Sequence, residues 1–538
     1  MTDRADESVD VLVVGAGLAG LSAAMFLALR GVRVLVVERH AGPSVHPKAA
    51  GQNPRTMELL RAGGVADKVR HAGDIRGRQG DFTIKVAESV GGKVLHTFAE
   101  SFEELVGATA PCTPMPWALV AQDQMEPILL DQARRHGAVA RYGTELTGFA
   151  QDGEGVTAEL REAAGGAART VRARYMVAAD GPYSRVRERL GIGTGGHGSL
   201  ATFVGVIFEA DLSAVLPPGA TGWYYLQNPH FTGTFGPTDR PDRHTFFVEY
   251  DAGRGQSPAD FTDERCRDLI RIAVGAPGLS PVLLDVQPWE MAARIAERWR
   301  DGRVFLAGDA AKVTPPTGGL GGNTAIGDGF DIAWKLAAVI EGVAGPGLLD
   351  SYEPERKAVA ELVVAEALNI YASRMAPHMA DEVPPAAGYA EVILGFRYRS
   401  GAVLPDGGPD DGAPVEDPLR PSGRPGFRAP HVGLERDGGP VSTVELFGQG
   451  WVLVTGPEGA GWSAAARKAA ARLGVRLEVV GRSEGWHDPA GDLAGRFGLG
   501  PSGAALVRPD GVIAWRSPDE PGDPGDAVFA ALARVLDR

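Results

Sequence analysis

Gly15, Gly17 and Gly20 stand at G-x-G-x-x-G spacing, directly behind the run Val9 to Val14 and in front of a stretch with helical apolar spacing, Leu18 to Arg30. Glycines in that setting can cradle a pyrophosphate. The first two allow a tight turn and close backbone approach, and the third lets helix and strand pack. The helix start at Leu18 and Ala19 then offers free N–H groups at the positive end of its dipole. Glu38 closes a second strand, Gly31 to Glu38, about twenty residues on, where a carboxylate accepts hydrogen bonds from an adenosine ribose. A carboxylate repels a 2′-phosphate, so this position favours FAD or NAD over NADP. Taken alone, glycines at a strand–helix turn can serve packing only. Strand, helix and acidic residue together predict dinucleotide binding.

The elements that must position this turn lie in an ordinary globular chain. Its 538 residues, 44% of them hydrophobic, suffice for two or three packed domains. A net charge of -14 argues against nucleic acid as the main partner. Cys112 and Cys266 form neither a metal-ligand cluster nor a redox pair, so no metal site is expected and a reducing cytoplasm is the expected compartment. The start MTDRADESVD lacks the pattern of a signal peptide, and no apolar run reaches membrane-spanning length.

Further along, Arg141 to Ala179 alternates with period two, which predicts a small antiparallel sheet returning to the first domain. FVGVIFEADL, TGWYYLQ, GTFGPTDRPDRHTFFVEYD and LLDVQPWEMAARIAERW alternate likewise and predict a second, sheet-built domain. A strand, a glycine-rich loop and a helix follow Val304, then a long helical region from Leu349 to about Met379. Ser400 to Arg424 is rich in Gly, Pro and Asp and reads as a linker; beyond it comes a compact α/β unit.

Two later segments choose flavin by resemblance. DGPYSRVR, from Asp180 to Arg187, and RVFLAGDAAKVTPPTGGLGGNTAIGDGFDIAWKL, from Arg303 to Leu336, resemble the motifs of the class A flavoprotein aromatic hydroxylases, the group similar to para-hydroxybenzoate hydroxylase. Read from residues alone, the first is a turn in which Asp180 and Ser184 cap a helix. The second is a strand, a Gly308–Asp309 pair, a proline-stiffened loop and glycines entering a helix. The resemblance implies FAD and NADPH pyrophosphate contacts at Asp180 and Gly181, and a ribityl contact at Asp309 beside Gly308. It also implies that the loop through Pro316 and Gly319 brings amides near Gly321, Gly322 and Asn323 to the flavin pyrimidine ring. A helix N-terminus there stabilises negative charge on reduced flavin. Gln122 and Glu126 in AQDQMEPIL resemble the family's Q-x-x-x-E segment, which places Gln122 near FAD; otherwise they are a solvated helix face. Arg39 and Lys48 complete the implied cofactor contacts. Lys48 stands where relatives often carry arginine, and Lys312 where many carry histidine.

No second G-x-G-x-x-G marks a permanent nicotinamide domain, and there is no paired redox cysteine and no W-x-W-x-I-P segment of the flavin halogenases. The resemblance then implies a monooxygenase with noncovalent FAD, NADPH as transient reductant and O2 as co-substrate, acting through a flavin C4a-hydroperoxide in a desolvated pocket. Candidate pocket groups are Trp223, Tyr224, Tyr225, Phe235 and the acidic tail of FFVEYD, although only one of Tyr224 and Tyr225 can face inward. At larger scale AAGQNPRTMELLR, TGWYYL, GTFGPTDRPDRHT, WEMAARIAERW and GDAAKVTPPTGG resemble polyketide hydroxylases of the anthracycline and angucycline type. That likeness implies an aromatic polyketide substrate, with Tyr224 and Arg374 promoting its deprotonation, since a guanidinium stabilises a phenolate.

The expected architecture is therefore α/β: a Rossmann-like FAD-binding domain over residues 1–190 and 285–400, a β-sheet substrate domain over 191–284 with part of 75–120, and a C-terminal thioredoxin-like domain over 425–538. The last lacks cysteine, which excludes disulfide exchange and leaves a structural role or support of a homodimer. An angucyclinone- or rifamycin-type hydroxylase, a Baeyer–Villiger oxygenase and a non-catalytic carrier of the same fold remain as alternatives.

Overall fold

Five parallel strands carry the glycine turn. In the computed structural model, which describes residues 5–44, 48–74, 82–163, 165, 166, 168–217, 220–238, 240–408 and 410–538, they run in the order Val304–Leu306, Arg169–Ala178, Glu7–Val14, Val34–Glu38, Val139–Tyr142. Residues 75–81, part of the expected substrate region, lie outside the described residues. Near-continuous Val and Leu in these strands reflect burial on both faces. The helix Leu18–Ala28 is apolar all round because it is covered all round, with the sheet on one side and the long helix Leu320–Ile340 on the other. Phe26 meets Phe330 edge to face at 4.6 Å there. The alternating stretch after Arg141 forms the antiparallel excursion Thr144–Gln151 and Val156–Glu162, which pairs back onto Arg169–Ala178.

The second sheet has eight strands in the order Lys312–Val313, Val282–Ala296, Thr194–Glu209, Arg243–Tyr250, Phe231–Pro237, Thr221–Asn228, Phe82–Ala87, Val94–Ala99. Its single parallel junction joins Thr221–Asn228 to Phe82–Ala87. Successive side chains point to opposite faces, and here both faces carry large apolar residues. One packs Phe208, Phe235 and Phe246 against the helix Asp263–Val274; the other presents Phe203, Trp223, Tyr225, Phe247 and Trp289 to a cavity between the two sheets.

The helical region after Leu349 is the helix Tyr352–Arg374 with a short 3-10 turn on either side. The Ser400–Arg424 segment is irregular but held in place, with Arg397 and Arg399 on Asp410 and Arg516 on Asp406. Beyond it lies a thioredoxin-like unit. Its strands run in the order Leu477–Val480, Trp451–Thr455, Ala504–Val507, Ile513–Ser517, with the helices Gly461–Leu473 and Pro524–Val535 packed together.

Where this unit meets the two long helices, carboxylates of Asp331, Glu355 and Asp510 surround Lys335 and Arg508, all buried. Although burial opposes it, Arg508 and Lys335 hold Glu355 ionised, down to about 2. Asp331 goes the other way: burial, then the neighbouring Glu355 and Asp510, raise it to about 6 against Lys335 and Arg508. Between its ordinary value and 6 the folded protein keeps a proton that the unfolded chain has released. Asp331 therefore makes stability fall as pH rises through that window, by at most about 1.4 kcal/mol per pH unit. Asp331→Asn is expected to remove that fall, seen as the difference between its urea midpoints and those of the parent protein from pH 4 to pH 6.

Candidate functional site

The cavity between the sheets has a volume of about 1900 Å³, roughly twice the upper end of the 300–1,000 Å³ typical of single small-molecule sites. It has room for two ligands at once. One end is built by the glycine turn. Gly15 has φ +101, and a Cβ added there would stand 2.2 Å from the carbonyl oxygen of Ala179; a Cβ on Gly20 would stand 2.0 Å from that of Gly15. Gly17 has open space where its side chain would be. Gly15 thus permits the turn, Gly20 the packing of helix on strand, and Gly17 the approach of a ligand. Gly15, Gly17, Leu18, Ala19, Glu38, Arg39, Lys48 and Gln122 line this end, while Gly20 sits behind it. Oε2 of Glu38 accepts from the Ala16 N–H at 2.8 Å and Oε1 from the His40 N–H at 2.9 Å, which fixes the carboxylate at the end of its strand.

The Q-x-x-x-E pair is a brace in which Glu126 is buried and Gln122 half-buried. Gln122 Nε2 donates to Glu126 Oε1 at 2.7 Å, and the Ser44 N–H donates to Glu126 Oε2 at 2.7 Å, tying the helix Gln122–Arg135 to the loop ahead of Lys48. Asp180 both lines the cavity and caps its own helix: Ser184 Oγ and the Val186 N–H donate to its two oxygens. Gly181 lines the cavity with φ +87.

The middle of the cleft is formed by Gly308, Asp309, Pro316, Gly319, Gly321 and Gly322. Asp309 faces the cavity, accessible from it, and the desolvating protein around the cleft raises its carboxyl despite Lys312 and Lys48. Gly318 and Gly319 both adopt left-handed φ, +79 and +65, and this pair turns the chain into Leu320–Ile340. Asn323 does not line the cavity. Its amide donates to the carbonyls of Gly51 and Gly319, each at 2.8 Å, and its Oδ1 accepts from the Asn53 N–H, so it staples two loops of the cleft together. Tyr389 donates to the Gly318 carbonyl at 2.7 Å and stacks on Trp117 with centroids 5.9 Å apart.

The far end has an apolar wall of Phe203, Trp223, Phe247, Trp289 and Met375, with a polar pair set in it. Arg374, the last residue of its helix, donates from Nη1 to the Tyr225 hydroxyl at 3.0 Å, and its guanidinium lies 4.7 Å from the Phe98 ring centre. Its carbonyl accepts from Gln227 Nε2. Tyr224 is on the opposite face of the strand Thr221–Asn228, packed with Phe235, Phe246 and Leu226 and hydrogen-bonded to Thr83. Burial raises its phenol. Tyr224 as the partner of Arg374 is therefore corrected by geometry: residues i and i+1 of a strand point to opposite sides, and the register puts Tyr225 in the cavity. Phe235 turns away with Tyr224.

A flavin dinucleotide fits this donor set: a cradle that a Cβ would fill, a fixed carboxylate at the ribose position, and glycine amides at a helix start. The family description "FAD binding domain" matches residues 8–367, and "Aromatic-ring hydroxylase, C-terminal" matches residues 422–538. The chain belongs to the FAD-dependent aromatic-ring hydroxylases. It is 61% identical over 537 residues, 99% of its length and 100% of the relative's, to aklavinone 12-hydroxylase of Streptomyces purpurascens. Over 555 residues, 99% and 97% of the two chains, it is 41% identical to tetracenomycin A2 monooxygenase-dioxygenase of Streptomyces glaucescens. The solved ternary complex of aklavinone-11 hydroxylase with FAD and aklavinone superposes at a TM-score of 0.96, with 61% identity, covering 99% of this chain and 100% of that one.

This hydroxylase is a monooxygenase with FAD as its cofactor. Among its described residues no helix is long and apolar enough to cross a membrane. Sequence reading names Tyr225 among the pocket candidates but does not choose between it and Tyr224; the signal is the parity of the strand, which Phe231 to Tyr250 does not decide. What it misses is the stacking of Trp117 on Tyr389 and the stapling role of Asn323, whose partners are far apart in the chain.

Proposed function

We propose that the enzyme hydroxylates a polycyclic aromatic polyketide of the anthracyclinone kind, with NADPH as reductant and O2 as oxygen source. The observation that carries this reading is the Arg374–Tyr225 pair at the apolar end of the cavity. Because its oxygen accepts from Arg374, the Tyr225 hydroxyl keeps its own proton to donate to a phenolic oxygen of the substrate. The guanidinium lowers the pKa of that phenol by favouring its anion, which enriches the carbons ortho and para to it. Phe203, Trp223, Phe247 and Trp289 give flat surfaces for fused rings and keep water out. FAD, when bound, supplies the activated oxygen; the overall balance is substrate, NADPH, a proton and O2 to hydroxylated substrate, NADP⁺ and water.

The residue roles follow the geometry. Gly15, Gly17, Leu18, Ala19, Glu38, Arg39, Lys48, Gln122, Asp180 and Gly181 are proposed for the adenosine and pyrophosphate end, with Gly308, Asp309, Pro316, Gly319, Gly321 and Gly322 along the flavin. Gly20 and Asn323 are proposed to support that site from behind. Residues 1–190 and 285–400 are proposed as the FAD-binding domain, 191–284 with part of 75–120 as the substrate domain, and 425–538 as the C-terminal domain.

The purified chain should be yellow and oxidise NADPH faster with aklavinone-like anthracyclinones, giving a product heavier by about 16 Da. NMR of that product separates ring hydroxylation from Baeyer–Villiger insertion. A yellow protein that yields only H2O2 would discard the tested substrates, and a colourless chain that takes up no FAD would discard the reading itself. Tyr225→Phe is expected to lower coupled product formation roughly tenfold or more, whereas Tyr224→Phe should change it little. Equal effects of the two substitutions on product per NADPH would contradict the assignment.

A further inference from the structure

The flavin cleft is gripped from behind by the C-terminal unit. Along the helix Pro54–Ala62, which starts beside the Gly51–Asn53 loop, Arg55 donates to the Asp510 carbonyl. Arg428 donates from Nε to Glu58 at 3.0 Å, and Arg61 donates to the carbonyls of Val444 and Phe447. On the helices Leu320–Ile340 and Tyr352–Arg374 the charged contact is Arg508, beside the apolar contact of Trp334 with Trp451. Its Nη1 and Nη2 fork onto Glu355 at 2.6 and 2.8 Å, its Nε donates to Asp510 at 3.1 Å, and Asp331 lies 3.7 Å away. Its guanidinium is 5.2 Å from the Trp334 ring and 5.4 Å from the Tyr398 ring.

The network continues to the flavin side. Arg356, next to Glu355 in sequence, donates to Tyr398 OH at 2.7 Å and from Nε to Asp328 Oδ1 at 2.9 Å. Asp328 Oδ2 accepts from Lys312 Nζ at 2.9 Å and from the Gly308 N–H at 3.1 Å, and Gly308 belongs to the turn that carries Asp309. Four cations (Lys312, Lys335, Arg356, Arg508) face four carboxylates (Asp328, Asp331, Glu355, Asp510), each at most 4% exposed. Charges so buried are balanced only while all are present. Without Arg508, three carboxylates would surround Lys335 alone, and an uncompensated buried charge must be relieved by protonation or movement. A cluster of this kind adds little net stability, so its use is to fix geometry.

We infer that Arg508 is a positioning residue for the flavin: the C-terminal unit delivers it between the two long helices, and through Glu355, Arg356 and Asp328 it sets the Gly308–Asp309 turn. This rests on the reading of the cleft as the FAD site. It gives the cysteine-free thioredoxin-like unit a task in the reaction.

The test compares full-length Arg508→Met with Arg516→Met. Arg516 makes a second half-buried ion pair of the same unit, with Asp406, and has no link to the long helices. FAD binding to both apoproteins is titrated by flavin fluorescence, the visible spectrum is recorded, and H2O2 per NADPH is measured. Arg508→Met is expected to weaken FAD binding at least about tenfold, shift the flavin band and raise H2O2; Arg516→Met should lower Tm yet leave FAD affinity within about twofold. Arg508→Lys should recover part of the affinity, since it returns the charge without the fork. If Arg508→Met does not fold, Arg508→Lys against Arg516→Lys gives the same comparison. FAD affinity and spectrum that match the Arg516 variant would overturn the inference; an unsubstituted chain that binds no FAD would overturn the functional reading instead.

Discussion

Arg374→Met is expected to cut hydroxylation by about a hundredfold or more, the usual scale of a lost acid–base contribution, while FAD stays bound. The methionine keeps most of the apolar contact with Phe98, and the helix end keeps its hydrogen bond from Gln227, which reaches the backbone carbonyl. What disappears is the cation. A bound phenol then ionises at its own higher pKa, so the pH profile of product formation should move upward and the defect should shrink as pH rises. NADPH oxidation without substrate should be little changed, and H2O2 per NADPH should increase. Product formation measured from pH 6 to pH 10 checks this; an unmoved profile would mean that Arg374 only supports the pocket wall.

Gly15→Ala is expected to yield colourless protein, with FAD affinity reduced by about two orders of magnitude or more, equivalent to roughly 3 kcal/mol. Its φ of +101 is costly for any L side chain, and the new Cβ would meet the backbone of Ala179 rather than a flexible side chain. The turn must therefore shift away from Asp180 and Gly181, which line the same cleft. Gly17→Ala separates two effects. With φ -81 and open space around it, the substitution should leave the Tm of the apoprotein unchanged, yet put a methyl where a pyrophosphate has to approach. Fluorescence titration with FAD, with Tm of the apoproteins, tests both. Tight FAD binding by Gly15→Ala would remove the turn from the site.

The dinucleotide end was legible because its determinants are local. Gly15, Gly17, Gly20 and Glu38 lie within one strand–helix–strand unit, where the glycines act through backbone geometry and Glu38 through a carboxylate held by the Ala16 and His40 N–H groups. The segment around Gly308 to Gly322 was legible for the same reason, although Asn323 turned out to serve the loops and not the cavity. At Asp180 the capping reading holds, since its carboxylate accepts from Ser184 and from the Val186 N–H, and the same residue lines the cleft.

The substrate end depends on partners far apart in the chain. Which of two adjacent tyrosines meets Arg374 is a matter of strand parity, set by pairing with Phe82–Ala87 and Phe231–Pro237. A shift of one residue would exchange Tyr224 for Tyr225, and composition does not register it. The buried charges from Lys312 to Arg508 likewise read as scattered surface residues until three separate segments meet and exclude water from them. Motif residues alone thus establish a flavin-binding hydroxylase of α/β architecture. Tertiary packing decides which side chains share the low-dielectric space of the cavity and the clasp behind it, because burial and opposition of charge exist only once distant segments have closed on one another.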